Sequence, residues 1–142
     1  MSKRESSGHW KKEIVEVSTD RVPATRIRST APAVKVGPLL FVTGQSGRHL
    51  GGEDNYSDDP AEQARQTMEN IKAILEAAGS SLDQVVKRTI YVKDPELYDA
   101  MRPVVDGYFP SPVASTTLQT GFLRDKMIEI EVIAVVPESP GG

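Results

Sequence analysis

The run 126–136 carries two carboxylates, Glu129 and Glu131, in alternation with Met127, Ile133 and Val135. A carboxylate set among large apolar side chains can have its pKa raised and serve as a general base, a reading open to Glu129. Arginines that could hold an anionic ligand are Arg28, Arg48, Arg102 and Arg124, because the planar guanidinium matches a carboxylate bidentately. Each reads more simply as a solvated surface side chain, and structural pairing with Lys or Arg across a subunit interface is the better reading for Glu131 and an equal alternative for Glu129. Gly44 and Gln45 close a strand where backbone groups can meet a ligand, and Ser115 and Thr116 offer hydroxyls; turn chemistry and ordinary strand positions explain them as well. His49, in a glycine-rich loop, has no second histidine or carboxylate at ligand spacing and reads as a loop residue.

Composition removes several other chemistries. With no cysteine and only two histidines, His9 and His49, thiolate nucleophiles, disulfides, zinc–thiolate sites and histidine metal cages are excluded, so no metal is expected. A net charge of −3 with scattered Lys and Arg gives no field for a phosphate backbone, so nucleic acid is not an expected partner. The longest apolar runs, such as 39–42, are too short to cross a bilayer, and the polar first residues resemble no signal peptide. A cytoplasmic location is the default expectation.

The elements that must position these groups follow from periodicity. A length of 142 residues suits one domain with one core, expected over 10–136, with a disordered N-terminal arm at 1–9 and a flexible tail at 137–142. Alternation over 10–17 predicts a strand. A second near 33–36 is joined through Gly37-Pro38 to a buried run at 39–43, which predicts a hairpin. A surface loop is expected over 44–57. A helix then opens with Asp59 as cap, Pro60 in the first turn and Glu62 completing a capping box. Its core face is Ala64, Met68, Ile71, Leu75 and Ala78, and Gly79 ends it. The polar residues Glu62, Arg65, Gln66 and Glu69 on this helix, which also carries Asn70, read as a solvated face.

In 86–92, Val86, Arg88, Ile90 and Val92 alternate against Lys87, Thr89 and Tyr91 and predict a strand; Pro95 opens a helix through about Tyr108, kinked or started late by Pro103. A strand is expected at 114–119. In the last, at 126–136, Ile128, Ile130, Val132, Ala134 and Val136 form an apolar face for the helices. The opposite face, half carboxylate and half apolar, lacks a cover from this chain, and a partner subunit would supply one. The economical architecture is an α/β (α+β) mixed sheet with helices on one face.

Segments 33–37, 40–45, 63–79, 82–87 and 128–135 together resemble the RidA/YjgF family, also called the L-PSP family, across nearly all of 30–136. The resemblance implies a chorismate-mutase-like fold with two helices on one face of the sheet. It also implies a homotrimer whose sheets form a central barrel, with small-molecule ligands bound in the intersubunit clefts. It implies cofactor-independent hydrolysis, a deaminase reaction on enamines and imines, with an arginine gripping the substrate carboxylate and a glutamate positioning the attacking water. The family's Pro-x-Arg-Ser pattern, fifteen positions before that glutamate, falls here on Pro112-Val113-Ala114-Ser115 before Glu129. Glu129 is thus kept as the catalytic residue, while Ala114 stands in place of the arginine and cannot bind a carboxylate. Thr30 occupies the position of a family tyrosine, and Arg102 falls near a family asparagine on the second helix, from where it is the best-placed replacement cation. Altered specificity is one expectation; a non-catalytic ligand-binding or protein-interaction module is the alternative. Ribonuclease activity, also attached to the family name, is disfavoured by the net charge and the absence of paired histidines.

Overall fold

In the computed structural model the described residues are 10–24, 29–51 and 55–138. The arm expected at 1–9, Arg28, and most of the tail expected from Pro137 lie outside them. Six strands, β1 (Lys12–Val15), β2 (Ala33–Val36), β3 (Leu39–Ser46), β4 (Val85–Val92), β5 (Ala114–Gln119) and β6 (Ile128–Val135), form one sheet in the order β1-β2-β3-β6-β4-β5. Two helices, α1 (Pro60–Ala77) and α2 (Pro95–Gly107), join the strands. All neighbours pair antiparallel except β4 and β5, which run parallel through the α2 crossover.

The ends of α1 follow from its sequence. The Asp59 carboxylate accepts the Glu62 N–H at 3.2 Å, and Pro60 occupies the first turn, where its missing N–H costs nothing. The reciprocal half of the expected capping box does not form, because Glu62 turns its carboxylate to Arg65 at 2.6 Å. Gly79, at φ +82°, ends the helix: its N–H donates to the Glu76 carbonyl and that of Ser80 to the Leu75 carbonyl, the two bonds of a Schellman motif. Pro103 does not delay α2, which runs from Pro95.

The core lies between the sheet and the two helices. Met68, Ile71, Ile74 and Leu75 of α1 and Met101 and Val105 of α2 are buried against Leu40, Ile90, Ile128, Ile130 and Ala134. Each large aliphatic side chain buried there stabilises the fold by about 1.5–3 kcal/mol.

The strand expectations need four corrections, one of them at β6, which starts at Ile128 and ends at Val135 instead of spanning 126–136. β1 is shorter than the alternation over 10–17 suggests, and β3 continues to Ser46, so the loop starts later than Gly44. In β4, Val85 pairs with Ala134 and Lys87 with Ile133, leaving Val86 as an extra residue in a bulge. Val86 therefore points outward, 47% exposed, although simple alternation places it inside.

The uncovered face can be read from the register. Phe41 pairs with Ile133, Tyr91 with Glu129, and Leu118 with Tyr91, so these residues share one side of the sheet. On it Phe41 is 43% and Leu118 48% exposed, and every residue of β5 is exposed.

Candidate functional site

A second bulge, in β3, builds the floor of the candidate site. Val42 pairs with Val132 and Gln45 with Ile130, so Thr43 and Gly44 together oppose Glu131. The bulge brings the Gly44 backbone against Glu129: a Cβ on Gly44 would lie 2.7 Å from Glu129 Oε2. Only a residue without a side chain leaves that carboxylate in place. The other oxygen, Oε1, accepts from Lys126 Nζ at 2.9 Å, and both side chains are about three-quarters covered.

At Lys126 opens a cavity of about 380 Å³, lined by Thr30, Thr43, Gly44, Gln45, Ser46, Arg48, Tyr56, Asn70, Arg124 and Lys126, with Val22, Ile74 and Leu123 among its apolar walls; Glu129 stands behind Gly44 and Lys126 and is not itself among the lining residues. That volume suits a small metabolite, and the mix of apolar wall and convergent polar groups is typical of ligand sites. Gln45 turns its amide back on the Thr43 carbonyl at 3.0 Å. The Arg48 guanidinium donates to the Ala24 carbonyl.

The loops that carry these groups are fixed by two buried amides of α1. Gln63 donates to the Ser57 and Asp125 carbonyls at 2.8 and 3.1 Å, and its side-chain carbonyl accepts the Met127 N–H at 2.9 Å. Asn70 donates to the Ser46 and Arg48 carbonyls, each at 3.0 Å, and accepts from Gln66 at 2.9 Å. Helix α1 is thus more than packing: it clamps both loops over the cavity. Nor is its polar face wholly solvated, since Glu69 accepts from the Tyr108 hydroxyl at 2.7 Å; burial and this carboxylate push the phenol up to about 12.

The remaining candidates lie elsewhere. Ser115 pairs with Arg88 and faces the helices, where its hydroxyl accepts from Arg88 Nε at 2.9 Å; Arg88 also holds Asp106 at 3.0 Å and stacks 4.7 Å from the Phe109 ring centroid. Arg102 is mostly exposed on α2, 3.6 Å from Asp106, and is absent from the residues lining the cavity. Ala114 and Thr116 share the outer face with Glu129, in register with Lys87 and Thr89. Lys87 in turn pairs with Ile133, so Ala114 stands two strands across from β6 and four residues along it from Glu129. That is about 10 Å by about 14 Å, beyond the reach of a side chain at 114 in the same chain. Glu131 meets the Tyr91 hydroxyl at 3.4 Å and raises the tyrosine's pKa.

Lys126, Gln63 and Asn70 were not among the residues singled out from sequence. Lys126 had one signal, a cation three residues before Glu129 at the mouth of the strand; the two amides had none beyond their polar type on a helix.

The sequence profile of the family described as endoribonuclease L-PSP matches residues 21–136. The chain belongs to the L-PSP (RidA/YjgF) family. Among L-PSP relatives, a RutC family protein of Pyrococcus horikoshii is 42% identical over 104 residues, 72% of this chain and 82% of the relative. The 2-iminobutanoate/2-iminopropanoate deaminase of Salmonella typhimurium is 32% identical over 126 residues, covering 84% and 95% of the two chains. The crystal structure of E. coli TdcF with bound serine superposes with a TM-score of 0.77 at 29% identity, covering 87% of this chain and 98% of that one. The sheet with two helices described above is therefore the RidA-type fold. Among the described residues no helix is long and apolar enough to cross a membrane.

Proposed function

We propose that this chain is a cofactor-independent hydrolase of small enamines or imines, working in clefts between the subunits of a homotrimer. The observation that carries the reading is the Glu129 carboxylate held against Gly44 by the β3 bulge. Glu129 takes a proton from water as the water oxygen bonds to the imine carbon. The imine nitrogen takes up a proton as the carbinolamine forms; its C–N bond then breaks as the hydroxyl loses its proton, Glu129 returns the proton it took to the departing nitrogen, and a carbonyl compound and ammonia leave. No net oxidation or reduction occurs, so no redox cofactor is required.

The 2-iminobutanoate/2-iminopropanoate deaminase activity by which the Salmonella relative is named supports the reaction class, and the serine bound to E. coli TdcF supports a ligand of metabolite size. Ala114, two strands from Glu129 within one chain, argues that position 114 faces a neighbouring subunit's cleft. The exposed Phe41, Val86 and Leu118 and the open β5 edge argue for burial against other copies. Position 114 holds alanine, so specificity departs from that of relatives with an arginine there. In this reading Gly44, Gln45 and Thr30 line the cleft beside Glu129, and Thr116, on the outer face with Ala114, faces a neighbouring subunit, while Ser115 and Arg102 lie outside it.

Substitution Glu129→Gln separates an enzyme from a binding module. Turnover falls by about 10²-fold or more, as loss of a general base predicts, while ligand affinity is kept. Unchanged turnover contradicts the assignment of Glu129. A wild-type protein that binds a small ligand without turning any imine over makes the chain a binding module.

A further inference from the structure

We infer that Lys126 is the anion anchor of this site, gripping the ligand's carboxylate from the loop before β6 rather than from β5, where Ala114 stands. The inference rests on the small-molecule reading above and deepens it by naming the cation that selects the ligand.

Four observations carry it. Lys126 lines the same cavity as Gly44 and Gln45, in company with Arg48 and Arg124, and it is the cation bonded to Glu129, whereas Arg102 pairs with Asp106 on the exposed side of α2. The Lys126 ammonium has three donors, and among the described residues only Glu129 accepts from it, so two can turn to a ligand. Its side chain is about three-quarters covered, so a charge-assisted bond there is screened less than at an open surface. Its loop is anchored on both sides of it, at Asp125 and Met127, by the buried Gln63, which fixes where the stem starts.

The chemistry is that of a point charge. A lysine ammonium accepts a carboxylate without the planar matching that an arginine fork demands. Seated against Glu129, it places an anionic group close to the residue that activates water, and it screens the repulsion between the two carboxylates. The ligand is therefore a small acid whose charge sits on the Glu129 side of the cleft.

Titration calorimetry with 2-oxobutanoate, 2-oxoglutarate and neutral 2-oxobutanamide tests this on the wild type, Lys126→Met and Lys126→Arg. The wild type binds at least one acid about tenfold or more tighter than the amide, as a partly covered charged hydrogen bond predicts. Lys126→Met loses that preference while still binding the amide, and Lys126→Arg keeps most of it. An acid preference that survives in Lys126→Met overturns the anchor but leaves the small-molecule reading standing. A wild type that binds none of the three overturns both. Imine hydrolysis measured on the same proteins adds a second readout: a KM for an acidic substrate raised in Lys126→Met and largely restored in Lys126→Arg supports the anchor, and an unchanged KM overturns it.

Discussion

The side-chain carbonyl of Gln63, on α1, accepts the backbone N–H of Met127 at 2.9 Å across 64 residues of chain, and its amide donates to the Asp125 carbonyl at 3.1 Å. One buried side chain so brackets Lys126 and sets the approach to β6. Replacing it with an apolar group of similar size, Gln63→Leu, leaves an N–H and two carbonyls without their partner. The expected cost is about 2–4 kcal/mol, read as a lower urea midpoint at unchanged slope.

Asn70 does the same for the other loop, donating to the Ser46 and Arg48 carbonyls. Asn70→Ala is expected to cost about 2–3 kcal/mol and to raise hydrogen exchange over 46–51 more than in β6. Equal protection in both regions would separate Asn70 from the loop.

Gly44→Ala tests the close approach at the bulge. The new Cβ would fall 2.7 Å from Glu129 Oε2, so the carboxylate must swing away. Its terminal atoms are mobile enough that stability should change by less than about 1 kcal/mol, while imine hydrolysis falls about tenfold or more through misplacement of the base. A fully active Gly44→Ala variant would show that the carboxylate's seat is not used.

These features mark how far the sequence could be read. The limits of α1 were legible because Asp59, Pro60 and Gly79 each have one local physical use, and the two faces of β6 because a strand's period is two. Val86 was misplaced because a bulge adds a residue that alternation cannot register. Glu129 and Gly44 were legible as separate candidates, but their contact depends on Thr43 and Gly44 both opposing Glu131. Gln63, Asn70 and Lys126 were missed for a related reason: a polar residue on a helix or in a loop reads as solvated until its tertiary partner is known.

Tyr108 gives the fold an alkaline dependence. Burial first, then its bond to Glu69, raise the phenol from 10.0 to about 12 in the folded chain. The folded state holds the proton more tightly than the unfolded state, so the contribution is complete below about pH 10 and is lost as pH rises through about 12. Denaturant midpoints of wild type and Tyr108→Phe should therefore differ at pH 8 and converge above that window. A constant difference across the range would contradict the assignment.

The uncovered sheet face makes an assembly prediction. Phe41 and Leu118 stand exposed on the same side as Glu129, and a charge placed there is buried without a partner once subunits meet. Wild type should sediment with the mass of three chains and Leu118→Glu with that of one. A monomeric wild type would remove the intersubunit cleft from the account.

The most direct test of the whole account is hydrolysis of 2-iminobutanoate, generated in the assay, by wild type, Glu129→Gln and Ala114→Arg. The predicted result is a measurable wild-type rate that falls about 10²-fold or more in Glu129→Gln and rises about tenfold or more in Ala114→Arg, because an arginine fork from the neighbouring subunit, added to the point contact of Lys126, is worth at least about 1.4 kcal/mol. A wild type as fast as Ala114→Arg, or a Glu129→Gln variant as fast as wild type, would contradict it.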